Sequence, residues 1–405
     1  MPAEGNQYGR GEGRIAKKVG LEVSVAVAEA VKLANADVVA AYPITPQTHI
    51  VEHLAELVAD GELDAAYVPV ESEHSAMSAT LGASATGARA FTATAGQGLE
   101  LMHEVLYGVS AMRLPVVMSV VNRALSAPLS VWGDHSDVMA VRDTGWVQLF
   151  VTNGQEAVDS IICAFRIAED HRVLLPVMVH LDGFHLSHVI EPIILPEKSL
   201  VDRFLPPNDY PLPLNPARPV TMGAFAPPFI YTEAKKAHEV ALEGAKGIVS
   251  EVFSEFARVF GREYHLVEGY RNQGAKVLLL TMGSFSETAT LAVDRMREEG
   301  MPVGQLTLRL WRPFPYAELK EMVKGAEVLI VLDRALSTGG PGGPVASEIR
   351  SALYAVKDRP KVVSFVAGLG GRDISPDDFV RMIKRGMELA RTDNIPPFEM
   401  FGVRE

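Results

Sequence analysis

Ala41-Tyr42-Pro43-Ile44-Thr45-Pro46-Gln47-Thr48 closes a short apolar run, and its two prolines hold an extended loop open around a β-branched hydroxyl residue, just where a helix would otherwise begin. Outward from this loop the chain alternates between short β-branched runs and longer helical patterns. Helix-like Val23 to Ala36 precedes strand-like Asp37 to Tyr42, helical Gln47 to Ala59 precedes Ala65 to Val70, and Glu73 to Thr86 precedes Phe91 to Ala95. Leu99 to Arg113, Pro115 to Val121, Gln155 to Asp170 and Leu175 to Leu181 continue the series. Nearly all-apolar strands separated by helices predict an α/β fold with a parallel sheet covered on both faces. In such sheets the polar groups just beyond the strand ends build the site.

Eight prolines lie between Pro206 and Pro228, in a stretch with little periodicity, which reads as an extended arm over the surface or over a partner. A helical segment, Glu233 to Phe260, follows. A second alternating region begins at Lys276: strands Val277 to Thr281, Gly304 to Leu310, Glu327 to Leu332 and Lys361 to Val366, with helices Ser286 to Glu299, Tyr316 to Val323, Gly343 to Val356 and Pro376 to Thr392. Ser375 before Pro376, with Asp377 and Asp378 in the first turn, is a well-formed helix start. The expected organisation is a flexible terminus at 1–20, a first α/β domain at 21–200, the arm and connecting helix at 201–272, a second, smaller α/β domain at 273–395 and a tail at 396–405.

Bulk properties narrow the function classes. The 405 residues carry 38 Lys and Arg against 50 Asp and Glu, a formal net charge of -12 that argues against a nucleic-acid binder. The one cysteine, Cys163, sits in a helical pattern and reads as a buried small hydrophobe. A single thiol holds neither an iron–sulfur cluster nor a structural zinc, so any electron wiring belongs to another chain. No apolar signal-type segment and no membrane-length run is present, which makes the cytoplasm the expected location.

Several polar residues placed after apolar runs could carry chemistry. Glu73 heads a helix among alanines and serines with no basic neighbour, so a desolvated carboxylate there suits proton exchange with a heterocyclic nitrogen; the plainer reading is an acid complementing the helix dipole. Thr45 can hydrogen-bond a small anion at little ordering cost, or simply fill a proline-bounded turn. Arg123, after the run Pro115 to Val121, can grip a carboxylate, or form an ordinary salt bridge. Gly133-Asp134-His135-Ser136-Asp137 has no second histidine at metal-ligand spacing and reads as a rigid polar turn, so no metal ligands are expected in this chain. The glycine loops Ser337 to Gly343 and Gly368 to Asp373 fit neither dinucleotide nor Walker spacing and read as tight turns.

Taken in order, Tyr42-Pro43-Ile44-Thr45-Pro46, Glu71-Ser72-Glu73-His74-Ser75-Ala76, Thr92-Ala93-Thr94-Ala95-Gly96-Gln97-Gly98, Asn122-Arg123-Ala124-Leu125-Ser126 and Trp132-Gly133-Asp134-His135-Ser136-Asp137 resemble the α subunit of 2-oxoacid:acceptor oxidoreductases, the pyruvate:ferredoxin oxidoreductase group. Leu310-Trp311-Arg312-Pro313-Phe314-Pro315, Leu332-Asp333-Arg334-Ala335 and Gly368-Leu369-Gly370-Gly371-Arg372-Asp373 extend the resemblance over residues 20 to 395. It implies a pyrimidine-type thiamine-diphosphate-binding domain followed by a transketolase C-terminal-like domain.

Members of this family bind thiamine diphosphate between two such domains, one gripping the aminopyrimidine and the other the diphosphate and its Mg²⁺ through a Gly-Asp-Gly motif. This chain contains no Gly-Asp-Gly, so the resemblance assigns it the pyrimidine side and assigns the diphosphate half to a β-type partner subunit. Glu73 matches the glutamate at the pyrimidine N1′, where proton sharing lets the coenzyme's own amino group remove the thiazolium C2 proton. Thr45 and Arg123 match residues that hold the substrate carboxylate, and Pro43, Ile44 and Gln97 match the cofactor-contacting positions. The implied reaction is oxidative decarboxylation of a 2-oxoacid to acyl-CoA and CO₂, with electrons passing to [4Fe-4S] clusters in γ- and δ-type partner subunits and on to ferredoxin or NAD. Thr45, in place of a basic residue, favours a neutral-tailed substrate; pyruvate, a branched 2-oxoacid and phenylglyoxylate all stay open. Two rivals share the fold: a non-catalytic scaffold paralogue and a cluster-free transketolase-like component.

Overall fold

The computed structural model describes residues 17 to 404 apart from Asp393; residues 1–16 of the expected flexible terminus lie outside the described residues. Eight strands fall in the first part of the chain: β1 (Lys17–Glu22), β2 (Val38–Ala41), β3 (Ala66–Pro69), β4 (Ala90–Thr94), β5 (Val116–Asn122), β6 (Val147–Phe150), β7 (Val177–Asp182) and β8 (Ile190–Leu195). Six of them form a parallel sheet in the order β3-β2-β4-β5-β7-β6. Every residue of β4, β5, β6 and β7 is buried, as continuous apolar strands require when helices cover both faces. One face packs on Val27, Val31, Leu54, Ile161 and Phe165, the other on Met77, Leu99, Leu106 and Trp146. Cys163 lies fully buried in the first of these layers.

Seven further strands follow: β9 (Val267–Tyr270), β10 (Val277–Thr281), β11 (Val303–Leu308), β12 (Leu310–Arg312), β13 (Val328–Asp333), β14 (Lys361–Val366) and β15 (Glu399–Met400). Six make a second sheet ordered β9-β11-β10-β13-β14-β15, with only β9 antiparallel. The start expected at Ser375 carries a full capping box with Asp378.

Several expected boundaries change. Lys17–Gly20, expected in the flexible terminus, belong to β1, which pairs antiparallel with β8. The strand expected over Gly304 to Leu310 breaks at Arg309, whose buried guanidinium donates to Glu156 (2.7 Å) and to the His265 carbonyl (2.6 Å). Beyond that break β12 leaves the second sheet and adds antiparallel to β6 of the first. The tail expected at 396–405 supplies β15, and β9 lies before the expected boundary at 273. The helix expected from Leu99 starts at Gly96 and is interrupted at Met102.

The proline-rich stretch lies over the first unit: Arg89 donates to the Pro206 carbonyl (2.6 Å), Asn208 to the Gly87 carbonyl (2.9 Å) and Leu214 N–H to the Ala85 carbonyl (2.8 Å). The long helix after it, Pro228–Phe260, opens on a proline and stops at Gly261 in the left-handed conformation (φ 73°). Among the described residues no helix is long and apolar enough to cross a membrane.

Candidate active site

Because β2, β3, β4 and β5 are neighbouring parallel strands, the segments leaving their C-terminal ends share one edge of the sheet. Those segments carry Thr45, Glu73, Gly96 to Gly98 and Arg123 respectively. Four segments scattered along the chain therefore become neighbours through topology alone.

Glu73 is the first residue of the helix Glu73–Ala85, which Ser72 caps by accepting from Ser75 N–H (3.3 Å). Glu73 is only 6% exposed and forms no ion pair among the described residues. Its carboxylate lies against the turn Gly96-Gln97-Gly98: a Cβ on Gly98 would stand 2.7 Å from Glu73 Oε1 and 2.6 Å from Thr94 Oγ1. A Cβ on Gly96 would stand 2.9 Å from Arg123 Cδ, and Gly96 has a left-handed φ of 48°. Two glycines thus let one turn pass between the acid and the base.

Arg123 is 8% exposed and forms no salt bridge among the described residues. Its Nε donates to the Ser130 carbonyl (3.0 Å) and its Nη1 to the Thr45 carbonyl (3.1 Å). The ordinary ion pair that would neutralise it is not what the fold provides. A buried guanidinium held by carbonyls alone keeps its full charge for an incoming anion.

Thr45 is exposed, Pro43 stands at the rim and Ile44 is half-buried against the core. The loop is pinned from beneath by the fully buried Gln47, whose Nε2 donates to the Ala93 carbonyl (2.7 Å) while its Oε1 accepts from Ile44 N–H (3.4 Å). The turn after β7 abuts it: a Cβ on Gly183 would meet Pro46 Cγ at 2.7 Å and the Asn122 carbonyl at 2.5 Å.

Under the site lies Asp137, fully buried. One of its oxygens accepts from Gly96 N–H (3.1 Å) and Arg123 N–H (2.9 Å), the other from Asn122 Nδ2 (2.9 Å) and Val138 N–H (2.7 Å). Burial pushes its pKa up to about 7, against the pull of these hydrogen bonds. The turn expected over Gly133 to Asp137 is held by Asp134, which accepts from Ser136 N–H (2.9 Å). Asp137, which ties the glycine turn to Arg123, is not among the expected site residues; its signal in sequence is a second aspartate beyond the one the turn needs.

The rest of that segment joins the two units. His135 Nε2 meets Asp182 (3.0 Å), Asp182 accepts from Ser284 N–H (2.7 Å) and from Arg334, and Arg334 donates to the Gly133 carbonyl (2.8 Å). Burial opposes ionisation of Asp182, but Arg334 and His135 outweigh it and hold the carboxyl well below the usual range. The loop at Gly368 to Asp373 packs here as well: Gly370 N–H donates to Asp134 (3.0 Å).

The groups at this edge fit an aminopyrimidine. Thr94 Oγ1 is buried beside Glu73, and Gln97 Oε1 is buried in the adjoining glycine turn, each with no partner among the described residues, leaving polar atoms to meet ring donors and acceptors. A cavity of about 730 Å³ between Phe253, Tyr264 and Met322 contains none of these residues.

A parallel α/β sheet with a buried acid at a helix head, followed by a second parallel sheet, defines a thiamine-diphosphate-binding fold joined to a transketolase-like domain. Residues 29–254 match the family "Pyruvate flavodoxin/ferredoxin oxidoreductase, thiamine diP-binding", and residues 275–379 match "Pyruvate:ferredoxin oxidoreductase core domain II". The chain is 50% identical over 375 residues to pyruvate synthase subunit PorA of Methanocaldococcus jannaschii, covering 91% of this chain and 94% of that one. It is 47% identical to the Thermotoga maritima subunit of the same name (97% and 100% covered), and 44% identical to ketoisovalerate oxidoreductase subunit VorA of Pyrococcus horikoshii (90% and 92% covered). Among solved structures, the 2-oxoglutarate:ferredoxin oxidoreductase of Magnetococcus marinus superposes with a TM-score of 0.74 at 21% identity, over 91% of this chain and 65% of that one. A split-gene transketolase does so at 0.55 and 12% identity, over 92% and 100%. The chain belongs to the pyruvate:ferredoxin oxidoreductase family, as the α-type subunit of a 2-oxoacid:acceptor oxidoreductase.

Proposed function

We propose that this subunit supplies the pyrimidine-side half of a shared thiamine diphosphate site and the anion clamp for pyruvate. The single observation that carries the reading is Arg123: buried, without a carboxylate partner, and separated from Glu73 only by the turn Gly96 to Gly98. Bound thiamine diphosphate would supply a nucleophilic carbon and an electron sink that protein side chains lack.

The chain's own residues then have distinct tasks. Glu73, desolvated and unpaired, holds a proton at the pyrimidine N1′, and Gln97 Oε1, otherwise unpartnered, accepts from the ring's amino group. Pro43 and Ile44 form the edge of the ring's binding surface. Arg123 fixes the substrate carboxylate with charge-assisted hydrogen bonds, and Thr45 adds a neutral one from the loop that Arg123 itself braces. Asp137 keeps the glycine turn and the Arg123 backbone in register.

A β-type subunit with the diphosphate and Mg²⁺ half, and γ- and δ-type subunits with [4Fe-4S] clusters passing electrons to ferredoxin, complete the enzyme, with coenzyme A taking the acyl group. The absence of Gly-Asp-Gly and the presence of one buried cysteine support that division. Pyruvate is favoured over a branched 2-oxoacid by identities of up to 50% to pyruvate synthase subunits, against 44% to the ketoisovalerate subunit, and over phenylglyoxylate by the family match. Turnover of the assembled enzyme on pyruvate, 2-oxoisovalerate and phenylglyoxylate tests this: pyruvate should give the highest kcat/KM, and a preference for either larger acid rejects the substrate assignment.

A further inference from the structure

Away from the strand-end site, Glu22, His49 and His188 each offer a ligand atom, and these atoms all lie within 4.8 Å of one another. We propose that these residues form a binding site for a zinc-class divalent ion. Donors about 2.0–2.1 Å from a tetrahedral ion stand roughly 3.3 Å apart, so side-chain adjustments alone bring the trio to bonding distance. Two imidazoles and one carboxylate, with a position left open to water, make a borderline donor set that suits zinc.

Local features are not explained by an ordinary ion pair. Glu22 is the N-cap residue of the helix Val23–Leu33, yet its side chain makes no capping bond and instead meets His49 Nδ1 at 2.6 Å. That pair would be complete in itself, but the His188 ring leans on His49 with centroids 4.6 Å apart. His188 Nδ1 lies 2.7 Å from Ser187 Oγ, which in turn accepts from Phe184 N–H (2.9 Å), so the ring is oriented by a second hydrogen bond of the kind that supports ligating histidines.

The three ligands come from separate segments: the end of β1, the first turn of the helix Thr48–Ala59 and the turn that follows β7. His49 lies two residues beyond Gln47 of the loop, and the turn bearing His188 begins at Gly183, against Pro46. A bound ion would therefore clip the substrate loop to the turn packed on it. These residues are distant in sequence, which is why no metal ligands were expected from spacing. The inference does not depend on the role assigned to Glu73 or Arg123.

The test is titration of the metal-stripped full-length chain with Zn²⁺ by calorimetry, and with Co²⁺ by visible absorption. One ion per chain is expected, with a Co²⁺ spectrum of tetrahedral intensity, and with His49→Gln and His188→Gln each weakening binding by more than about 100-fold. Zn²⁺ should also raise the melting temperature of the unsubstituted chain and not of His49→Gln, a substitution at a half-exposed side chain outside the core. Absence of stoichiometric binding, or equal binding by both histidine variants and the parent, overturns the proposal.

Discussion

Gly98→Ala probes the site by adding one methyl group at its tightest point. The new Cβ would meet Glu73 Oε1 and Cγ at 2.7 Å and Thr94 Oγ1 at 2.6 Å, where ordinary contact begins at 3.4 Å. The backbone at Gly98 is not in the left-handed region, so strain falls on the neighbours, and Glu73 must retreat by about 0.7 Å or more. A displacement of order 1 Å in a reacting group costs about 100-fold in rate, while overpacking of this kind costs about 1–3 kcal/mol of stability. Turnover of the assembled enzyme should fall by roughly 100-fold with the chain still folded by circular dichroism. Gly108→Ala is the control: its Cβ meets only Leu81 Cδ1 at 3.7 Å, within a helix, so activity should persist and stability should hold or rise by up to about 1 kcal/mol. Gly98→Ala activity within a few-fold of the parent would refute the idea that the Glu73 position matters.

Other substitutions separate the remaining roles. Arg123→Ala removes a charge-assisted hydrogen bond of about 1.5–3 kcal/mol, so kcat/KM for the 2-oxoacid should drop roughly 10- to 100-fold, chiefly through KM, in steady-state assays. Asp137→Asn turns one acceptor edge into a donor facing the Gly96, Arg123 or Val138 N–H groups; a loss of about 1–3 kcal/mol in urea unfolding, together with weaker substrate use, is expected. Burial raises the pKa of both Asp137 and Asp333 from 3.8 to about 7, so the folded chain keeps protons that the unfolded chain releases in that interval. Their contribution to stability is therefore full below about pH 4 and falls as pH rises towards 7, and Asp333→Asn should flatten the slope of urea midpoints measured across this range. Asp182, with its carboxyl held low, acts in the opposite sense, and its contribution is lost only in strong acid.

Much of the fold was legible because local signals and burial agreed. The strands at β2, β4, β5, β7, β10, β13 and β14 are nearly continuous apolar runs, and Ser375 announces a helix start with a side chain that does accept from the first turn. What was illegible depends on distant partners. Leu310 reads as the end of a strand until Arg309 pairs with Glu156 and the chain passes to the other sheet. Val147–Phe150 is too short to stand out, and β1 becomes a strand only by meeting β8, far along the chain. At the candidate site, Thr45 and Arg123 stood out as polar residues just beyond apolar runs, and Glu73 as an acid at a helix head with no basic neighbour in sequence. Asp137 and Gln47 did not, since their work is to hold backbone groups of other strands, and no spacing encodes that.

Proton exchange at C2 of thiamine diphosphate in the assembled complex, compared between the parent and Glu73→Gln, reaches the heart of the matter. With coenzyme still bound, the glutamine variant should exchange slower by orders of magnitude, because the neutral amide cannot share a proton with the ring nitrogen. Equal exchange rates in the two proteins would show that the ring does not rest on this acid, and the division of the coenzyme between two chains would lose its foundation.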